Sequence, residues 1–512
     1  MEVAIKKLLA ASIKKTFAVD FSDRIKIESP SEDIHGDYAS NIALALSKEL
    51  KKNPLEIAEK IVKNLGKSSL IGKVEIAGPG FINFFISEKE LLKEVNKALI
   101  KNYGQSKVGA KKNIVMDYSS PNIAKPLGVH HLLSTIIGQA LYNIHKNLGF
   151  KTISVNHIGD WGTQFGKLIC AYKKWGNKKT LEKNPVNEML KLYVKFHNEA
   201  EKHIELEDES RKEFKNFEEG DKENRKLWKW FVAESMKDIN KTYKKLGGIH
   251  FDKIQGESFY EDKMGEILKE GKKLKIFVEG EDGAYVVKYS DPNIAPFVVQ
   301  KKDGATLYST RDFATLKYRV KTWHPAKLLY VVDVAQSMHF KQLFEGAKKF
   351  PWYKGEAEHV HFGRMRMKDA QMSTRKGNVI LLDMLLEEAI LRAKKIIENK
   401  NSKLKNKTRV AEVVGIGAVK YNILSQNRTT DIVFDWDKIL SLEGNSGPYL
   451  QYSYARAKSI LRKAGKIKSK KLTAQSGSLH PKEFSLIRLF PKFQERVEAA
   501  ASEYKPNIIC LY

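Results

Sequence analysis

The stretch from residue 114 to residue 157 constrains this chain more than any other. Ile114–Tyr118 is an apolar run of strand length, and it leads into a polar loop containing Pro121 and Pro126. Leu133, Ile136, Ile137, Ala140, Leu141 and Ile144 then recur at helical spacing. Gly149 stops that helix at Leu148, and Thr152–His157 reads as a second strand. Strand, helix and strand in this order make one βαβ unit of a parallel sheet. The loop hands over to the helix at His130–His131. Backbone N–H groups at such a start lack intrahelical partners and lie at the positive end of the helix dipole, so they favour an anion. A histidine there can bind phosphate oxygens as they gain charge.

At 512 residues the chain is too long for one core, and about three or four domains are expected. No stretch approaches the ~18 apolar residues of a membrane span. The opening fifteen residues, from Met1 to Lys15, read as an amphipathic surface helix without the apolar core of a signal peptide. Cys170 and Cys510 are the two cysteines, too few for a structural zinc site or a disulfide framework, which places the chain in a reducing cytoplasm. A net charge of +29, from 90 basic and 61 acidic residues, points to a polyanionic partner. A proteome that is lysine-rich throughout accounts for the same charge.

Residues 116–138, Met-Asp-Tyr-Ser-Ser-Pro-Asn-Ile-Ala-Lys-Pro-Leu-Gly-Val-His-His-Leu-Leu-Ser-Thr-Ile-Ile-Gly, resemble the ATP signature of class I aminoacyl-tRNA synthetases in its arginyl form. Gln371-Met-Ser-Thr-Arg-Lys-Gly-Asn378 resembles their Lys-Met-Ser-Lys-Ser loop, where hydroxyls, cations and a mobile backbone meet a triphosphate. The resemblance implies ATP as substrate, with Mg2+ on the triphosphate and no protein-bound metal. It implies His131, Lys125 and Lys376 as catalytic groups. Gly128, His130, His131, His339, Met372, Ser373, Thr374, Arg375 and Lys376 are implied in nucleotide binding. Gln371 and Thr374 stand where the family has lysines, and Lys125 is expected to supply the missing charge. For His339, a packed core histidine is the plain alternative.

Tyr308-Ser-Thr-Arg-Asp312 reads as a strand end, where open α/β sheets hold ligands. By resemblance Asp312 pairs with the guanidinium of arginine, with Tyr308 beside it. A planar guanidinium is well read by a carboxylate that accepts two parallel hydrogen bonds. A surface pair between Asp312 and Arg311 is the alternative. Asp117, Asn122 and Gln336 match residues around the bound amino acid. Asn156–Gly166 is family-like too, with glycines that permit close backbone approach, although Trp161 and Phe165 suit a core equally well.

Three domains are expected. Residues 1–108 are α+β, with a strand pair around Gly78-Pro79-Gly80, and resemble the tRNA-elbow-binding domain of arginyl-tRNA synthetases. Residues 109–384 form the nucleotide-binding, Rossmann-like catalytic domain, split by a charged helical insertion at about 170–255. Its second half-sheet is expected at 284–289, 296–300, 307–310 and 328–332. Residues 385–512 form an α-helical anticodon-binding bundle, with a Lys/Ser/Gly linker at 466–481. In its helix at 447–456, Tyr449, Tyr452 and Arg456 suit tRNA stacking and phosphate contacts, and they suit bundle packing as well. Further helices normally follow in the family, so the chain reads as short at its carboxyl end, with apolar Ile508–Tyr512 lacking a partner.

The family's His-x-Gly-His becomes Gly128-Val-His-His131, and Leu133 replaces an arginine. A side chain at position 130 is expected to crowd adenine, which packs on bare backbone in the family. The resemblance implies an arginine-tRNA ligase that uses ATP, L-arginine and tRNA(Arg), as a monomer away from membranes. The alternative is a catalytically impaired tRNA-binding relic. Another nucleotidylyl transferase leaves Asp312, Gln336 and the amino-terminal domain unexplained together.

Overall fold

The computed structural model describes residues 1–30, 32–100, 102–368, 381–401, 403–465, 471–473 and 479–512. Two compact units emerge: residues 1–106 with 461–499 and 512, and residues 107–460 with 500–511. The first unit opens with helix α1 (Glu2–Phe17), then β1 (Tyr38–Ser40), α2 (Ile42–Leu50), α3 (Pro54–Lys63), β2 (Ile71–Ala77), β3 (Phe81–Ile86) and α4 (Glu88–Ala98). The three strands form an antiparallel sheet in the order β1-β3-β2. Gly78 and Gly80, both at positive φ, close the β2–β3 turn where the Gly-Pro-Gly sequence requires it. Ile5, Leu9, Ile13, Ile57, Ile61, Ile82 and Phe84 fill its core.

The second unit is built on a five-stranded parallel sheet. Its strands are β4 (Asn113–Asp117), β5 (Lys151–Asn156), β6 (Lys253–Ile254), β10 (Lys327–Tyr330) and β11 (Glu356–His359), in the order β11-β10-β4-β5-β6. Helix α5 (Val129–Asn147) crosses over from β4 to β5. Between β5 and β6 the chain leaves the sheet for five helices: α6 (Thr163–Trp175), α7 (Lys178–Lys183), α8 (Pro185–Ala200), α9 (Glu205–Glu218) and α10 (Lys222–Lys245). Trp161, Phe196, Phe217 and Phe231 form their core. Helix α11 (Glu261–Lys273) follows β6.

The second half of the sheet is smaller than its sequence indicates. Residues 285–287 and 297–300 do not join the parallel sheet. With β7 (Val278–Glu279), β8 (Tyr285–Val287) and β9 (Phe297–Gln300) form a separate antiparallel sheet. The reason is local: Gly280 N–H donates to the Ala284 carbonyl at 2.7 Å and Gly283 adopts φ +78°, a tight reversal that joins only antiparallel neighbours. Residues 308–310 are helical rather than extended. They open α12 (Tyr308–Trp323), with the Ser309 and Thr310 hydroxyls donating to the Val298 and Val299 carbonyls of β9.

Helix α13 (Ser337–Ala347) lies between β10 and β11, and β12 (Met365–Met367) pairs in parallel with β13 (Ile432–Phe434). The remaining chain is helical: α14 (Leu382–Lys400), α15 (Lys407–Leu424), α16 (Trp436–Ile439), α17 (Gly447–Lys463), α18 (Pro481–Ile487), α19 (Lys492–Ser502) and α20 (Asn507–Leu511). Ile487 of α18 is buried in the core of the first unit, where the Arg488 guanidinium meets the Asp37 carboxylate at 2.5 Å. The terminal apolar residues do find partners. Tyr421 OH donates to the Cys510 carbonyl at 3.1 Å in the second unit, and Tyr512 packs on Phe493 in the first.

Helix α5 meets the end of β4 through Gly138, where a β-carbon would stand 2.3 Å from Tyr118 Cγ. Overpacking costs about 1–3 kcal/mol, against a helix-propensity gain of about 1 kcal/mol for alanine over glycine. Gly138→Ala is therefore expected to lower the urea midpoint, and Gly138→Val to lower it further. A raised midpoint in tryptophan-monitored unfolding would contradict this contact.

Candidate active site

The site begins at the carboxyl end of β4, which pairs with β5 on one side and β10 on the other, with Asp117 in register with Tyr330. Strand order reverses across β4, and ligands of open α/β sheets occupy the crevice at such a point. The loop from β4 to α5 is held in an unusual backbone shape, with Ser119, Ser120 and Ala124 at φ of +72°, +47° and +63°. Left-handed non-glycine residues persist only where surroundings fix them. Here side chains do so: Ser119 N–H donates to Ser134 Oγ at 2.8 Å, Ser120 N–H to Asn156 Oδ1 at 3.1 Å, and Ser134 Oγ–H to the Val331 carbonyl at 2.6 Å. Gly159 comes so close that a β-carbon would lie 2.1 Å from Asn122 Oδ1. Trp161 and Phe165 of the same stretch are core residues.

The imidazole of His131 sits in the first turn of α5 and accepts the Gly128 N–H at Nδ1, 3.0 Å away. Acceptance at Nδ1 leaves Nε2 as the protonated nitrogen of the neutral ring. Burial, with the His130 ring 3.9 Å away, pushes the His131 pKa down to about 3. Burial lowers that of His130 too, against the nearby Asp333 carboxylate. Both rings are neutral at physiological pH, so this helix start offers N–H donors.

These residues line a cavity of about 580 Å³ that also contains Asp117, Asn122, His157, Glu257, Tyr308, Asp312, Tyr330, Gln336 and His339. Asp312 lies in the second turn of α12, and its Oδ2 faces His339 Nε2 at 2.7 Å. The neighbouring Arg311 does not pair with it, because its guanidinium is held by Glu257 at 3.1 Å and Glu261 at 2.6 Å. His339 is half-buried, with its ring near Tyr308 and Phe297. Asp117 is engaged at both oxygens: Ser120 Oγ–H donates to Oδ1 at 2.7 Å, and the Arg319 guanidinium lies 2.7 Å from Oδ2. Burial pushes the Glu257 carboxyl up to about 7, with Arg311 opposing and Asp312 adding to the shift.

The cavity thus gathers Asp117, Asn122, His130, His131, Tyr308, Asp312, Gln336 and His339. Gly128 is bonded to His131 and bridges Leu381, where the described chain resumes. Lys125 is elsewhere, with its ammonium 5.8 Å from the Tyr193 ring centre in a small hollow beside Phe165 and Leu168. Met372, Ser373, Thr374, Arg375 and Lys376 lie outside the described residues. Tyr449, Tyr452 and Arg456 are exposed on α17, so packing does not account for these side chains. Sequence reasoning missed Glu257, Arg319 and Ser120. Glu257 lies three residues beyond the short edge strand β6 (Lys253–Ile254), and Arg319 lies within an ordinary amphipathic helix, so neither carried a local signal. Among the described residues no group of three or more His, Cys, Asp or Glu side chains is placed to hold a metal ion, and no helix is long and apolar enough to cross a membrane.

Because native His131 resists protonation down to about pH 3 and the unfolded chain binds a proton near 6.5, the unfolded state takes up the extra proton between these values. Stability should therefore fall as pH drops through that window, by up to ~1.4 kcal/mol per pH unit for this group. In His131→Asn, whose amide can still accept the Gly128 N–H, that component of the slope should vanish. An unchanged slope in pH-dependent urea unfolding would show that His131 is not held neutral.

Three family models match the sequence. Residues 94–436 match the model described as tRNA synthetases class I (R), catalytic domain; residues 3–86 match the arginyl tRNA synthetase N terminal domain; residues 450–512 match the DALR anticodon binding domain. An arginine–tRNA ligase of Fusobacterium nucleatum is 44% identical over 492 residues, covering 95% of this chain and 86% of the relative. One of Clostridium perfringens is 43% identical over 516 residues, covering 99% and 90%. The arginyl-tRNA synthetase structure from Plasmodium falciparum superposes with a TM-score of 0.84 at 26% identity, covering 98% of this chain and 88% of that one. That from Thermus thermophilus shares the fold, with a TM-score of 0.81 at 24% identity and coverage of 100% and 90%. Sequence relationship over nearly the whole length and a shared fold lead to one conclusion: the chain belongs to the arginyl-tRNA synthetase family of class I.

Proposed function

We infer that this chain is an arginine-tRNA ligase, which activates L-arginine with ATP and transfers it to tRNA(Arg). One observation carries the reading beyond family membership. A single cavity holds a carboxylate suited to a guanidinium, Asp312, together with the neutral imidazoles of a helix start suited to phosphate. The arginine carboxylate attacks the α-phosphate of ATP, and pyrophosphate leaves. A hydroxyl of the terminal ribose of the tRNA then attacks the arginyl carbonyl, and AMP leaves. In such phosphoryl chemistry the protein positions groups and stabilises charge.

His131 would donate Nε2–H to phosphate oxygens as charge develops, with His130, Gly128 and the backbone of α5 around the nucleotide. Lys376 and the neighbouring Met372, Ser373, Thr374 and Arg375 would bind the triphosphate, with Lys125 as an added cation. Magnesium would arrive bound to phosphate oxygens. Asp312, Tyr308 and Glu257 would surround the guanidinium, with Asp117, Asn122 and Gln336 toward the α-amino end. His339 would serve Asp312 rather than the nucleotide, given their 2.7 Å contact. Tyr449, Tyr452 and Arg456 would meet tRNA along α17. The domains at 1–108, 109–384 and 385–512 would bind the tRNA elbow, carry out the chemistry and bind the anticodon, in a cytoplasmic monomer.

Aminoacylation with arginine and cognate tRNA tests the reading and separates an active ligase from a tRNA-binding relic. Asp312→Ala is expected to weaken arginine binding by about 2–5 kcal/mol, as for the loss of one partner of a charged hydrogen-bonded pair, with less effect on ATP. Unchanged arginine affinity in titration calorimetry would reject this role. Position 130 affects ground-state fit, whereas position 131 acts as charge develops at phosphorus. His130→Gly should therefore lower the KM for ATP, and His131→Ala should abolish turnover. Equal KM values for wild type and His130→Gly would remove the obstruction argument.

A further inference from the structure

The backbone amide that selects the His131 tautomer is itself held from a distant part of the chain. The Leu127–Gly128 peptide is bonded at both ends. Its N–H, on Gly128, donates to His131 Nδ1 at 3.0 Å, and its carbonyl, on Leu127, accepts the Leu382 N–H at 2.8 Å. A trans peptide is planar, with its C=O and N–H pointing in opposite directions. A tilt imposed at one end of the plane therefore turns the other. The Leu382 N–H, the peptide and the His131 ring make one chain of hydrogen bonds, and each bond in such a chain polarises the next. The chain ends at His131 Nε2–H.

The Leu382 end of this chain is well fixed. Leu382 is the first residue of α14, where N–H groups have no partner within the helix. It is buried, at 1% exposure. At the next residue the Thr242 hydroxyl of α10 donates to Asp383 Oδ1 at 3.0 Å, and the Lys245 ammonium lies 3.7 Å from the same oxygen. Helix α10 thus holds the start of α14, and the start of α14 holds the loop before α5.

We propose that Leu382 is a positioning residue whose backbone N–H, through the Leu127–Gly128 peptide, fixes the direction and the tautomer of the His131 imidazole, a role that rests on His131 serving ATP. Without that donor the peptide is free to rotate, and the contact of Gly128 N–H with Nδ1 loosens. Nε2–H is then no longer aimed at the phosphate oxygens as they gain charge. Ground-state ATP binding depends little on that bond, so the loss falls on the rate.

Leu382→Pro removes this N–H and suits the backbone around it. The first helical position tolerates proline, and Leu381 already has φ −71° and ψ 134°, the extended region that a residue before proline prefers. Leu382→Ala is the matched control, because it empties the same buried position and keeps the donor. The test is single-turnover aminoacylation by the full chain, with arginine and cognate tRNA saturating, ATP varied and thermal melting in parallel. For Leu382→Pro we expect the rate at saturating ATP to fall by about tenfold, the size of one hydrogen bond. The half-saturating ATP concentration should stay within about twofold of wild type. Leu382→Ala should lower the melting temperature and keep the rate. Nitrogen NMR of histidine-labelled protein gives a reading that packing does not move: His131 should be wholly the Nε2–H tautomer in wild type and Leu382→Ala, and a tautomer mixture in Leu382→Pro. An unchanged rate, a loss confined to ATP affinity or an unmixed tautomer in folded Leu382→Pro would overturn the proposal. So would an equal loss of rate in Leu382→Ala. Should Leu382→Pro not fold, replacing Leu382 by leucic acid, which exchanges the N–H for an ester oxygen, decides the matter by the same readings. If His131→Ala keeps wild-type turnover, the reading of the site itself fails; if it is inactive while Leu382→Pro matches wild type, only the positioning role fails.

Discussion

Strand β4 is hydrogen-bonded to β5 on one edge and to β10 on the other, although β10 comes much later in the chain. Parallel neighbours need crossover connections, and those of β4 leave in opposite directions. The crevice that results lies at Asp117, where Tyr330 stands in register and the Val331 N–H donates to the Asp117 carbonyl at 2.9 Å. The loop to α5 starts from this point, and Gly138 lets the helix come down on Tyr118. Ser134 of α5 then binds both the loop, at Ser119, and the strand extension, at Val331. Loop, helix start and both strands are therefore fixed to one another by buried hydrogen bonds, which are costly to leave unmade. The histidines inherit their positions from that framework.

Charge is distributed in this cavity by pairing. Arg311 engages Glu257 and Glu261, Arg319 engages Asp117, and among the described residues Asp312 has only an imidazole against it. A half-open cavity with several bare carboxylates would raise their pKa values and lose its charge. Burial raises the Glu257 pKa to about 7, with Arg311 opposing the shift and Asp312 adding to it. Phosphate chemistry at the other wall calls for the opposite arrangement. There burial keeps His131 neutral, and the Gly128 N–H selects its tautomer.

The βαβ unit was legible residue by residue, because the apolar spacing at 133–144 and the glycine at 149 leave a helix and its end little choice. The Gly-Pro-Gly hairpin and the helical insertion were equally plain. Asp312 was found by its neighbours in sequence, yet its setting was misread. The run at 307–310 has β-branched and aromatic residues of strand type, but the Ser309 and Thr310 hydroxyls bond to β9 and start a helix instead. The strands at 285 and 297 were misassigned to the parallel sheet because periodicity does not say which neighbour a strand will take.

The sequence by itself determined the class of sheet, the nature of its first crossover and eight of the residues that meet in the cavity. It could do so because helix period, turn residues and dense local signatures all act over a few residues. Tertiary structure alone decided which carboxylate meets an imidazole and, among the described residues, no guanidinium. Arg311 adjoins Asp312 in sequence but turns to Glu257 and Glu261, and Arg319 of α12 meets Asp117 at the end of β4. Ion pairing depends on distance and burial in space, and neighbours in sequence carry no information about either.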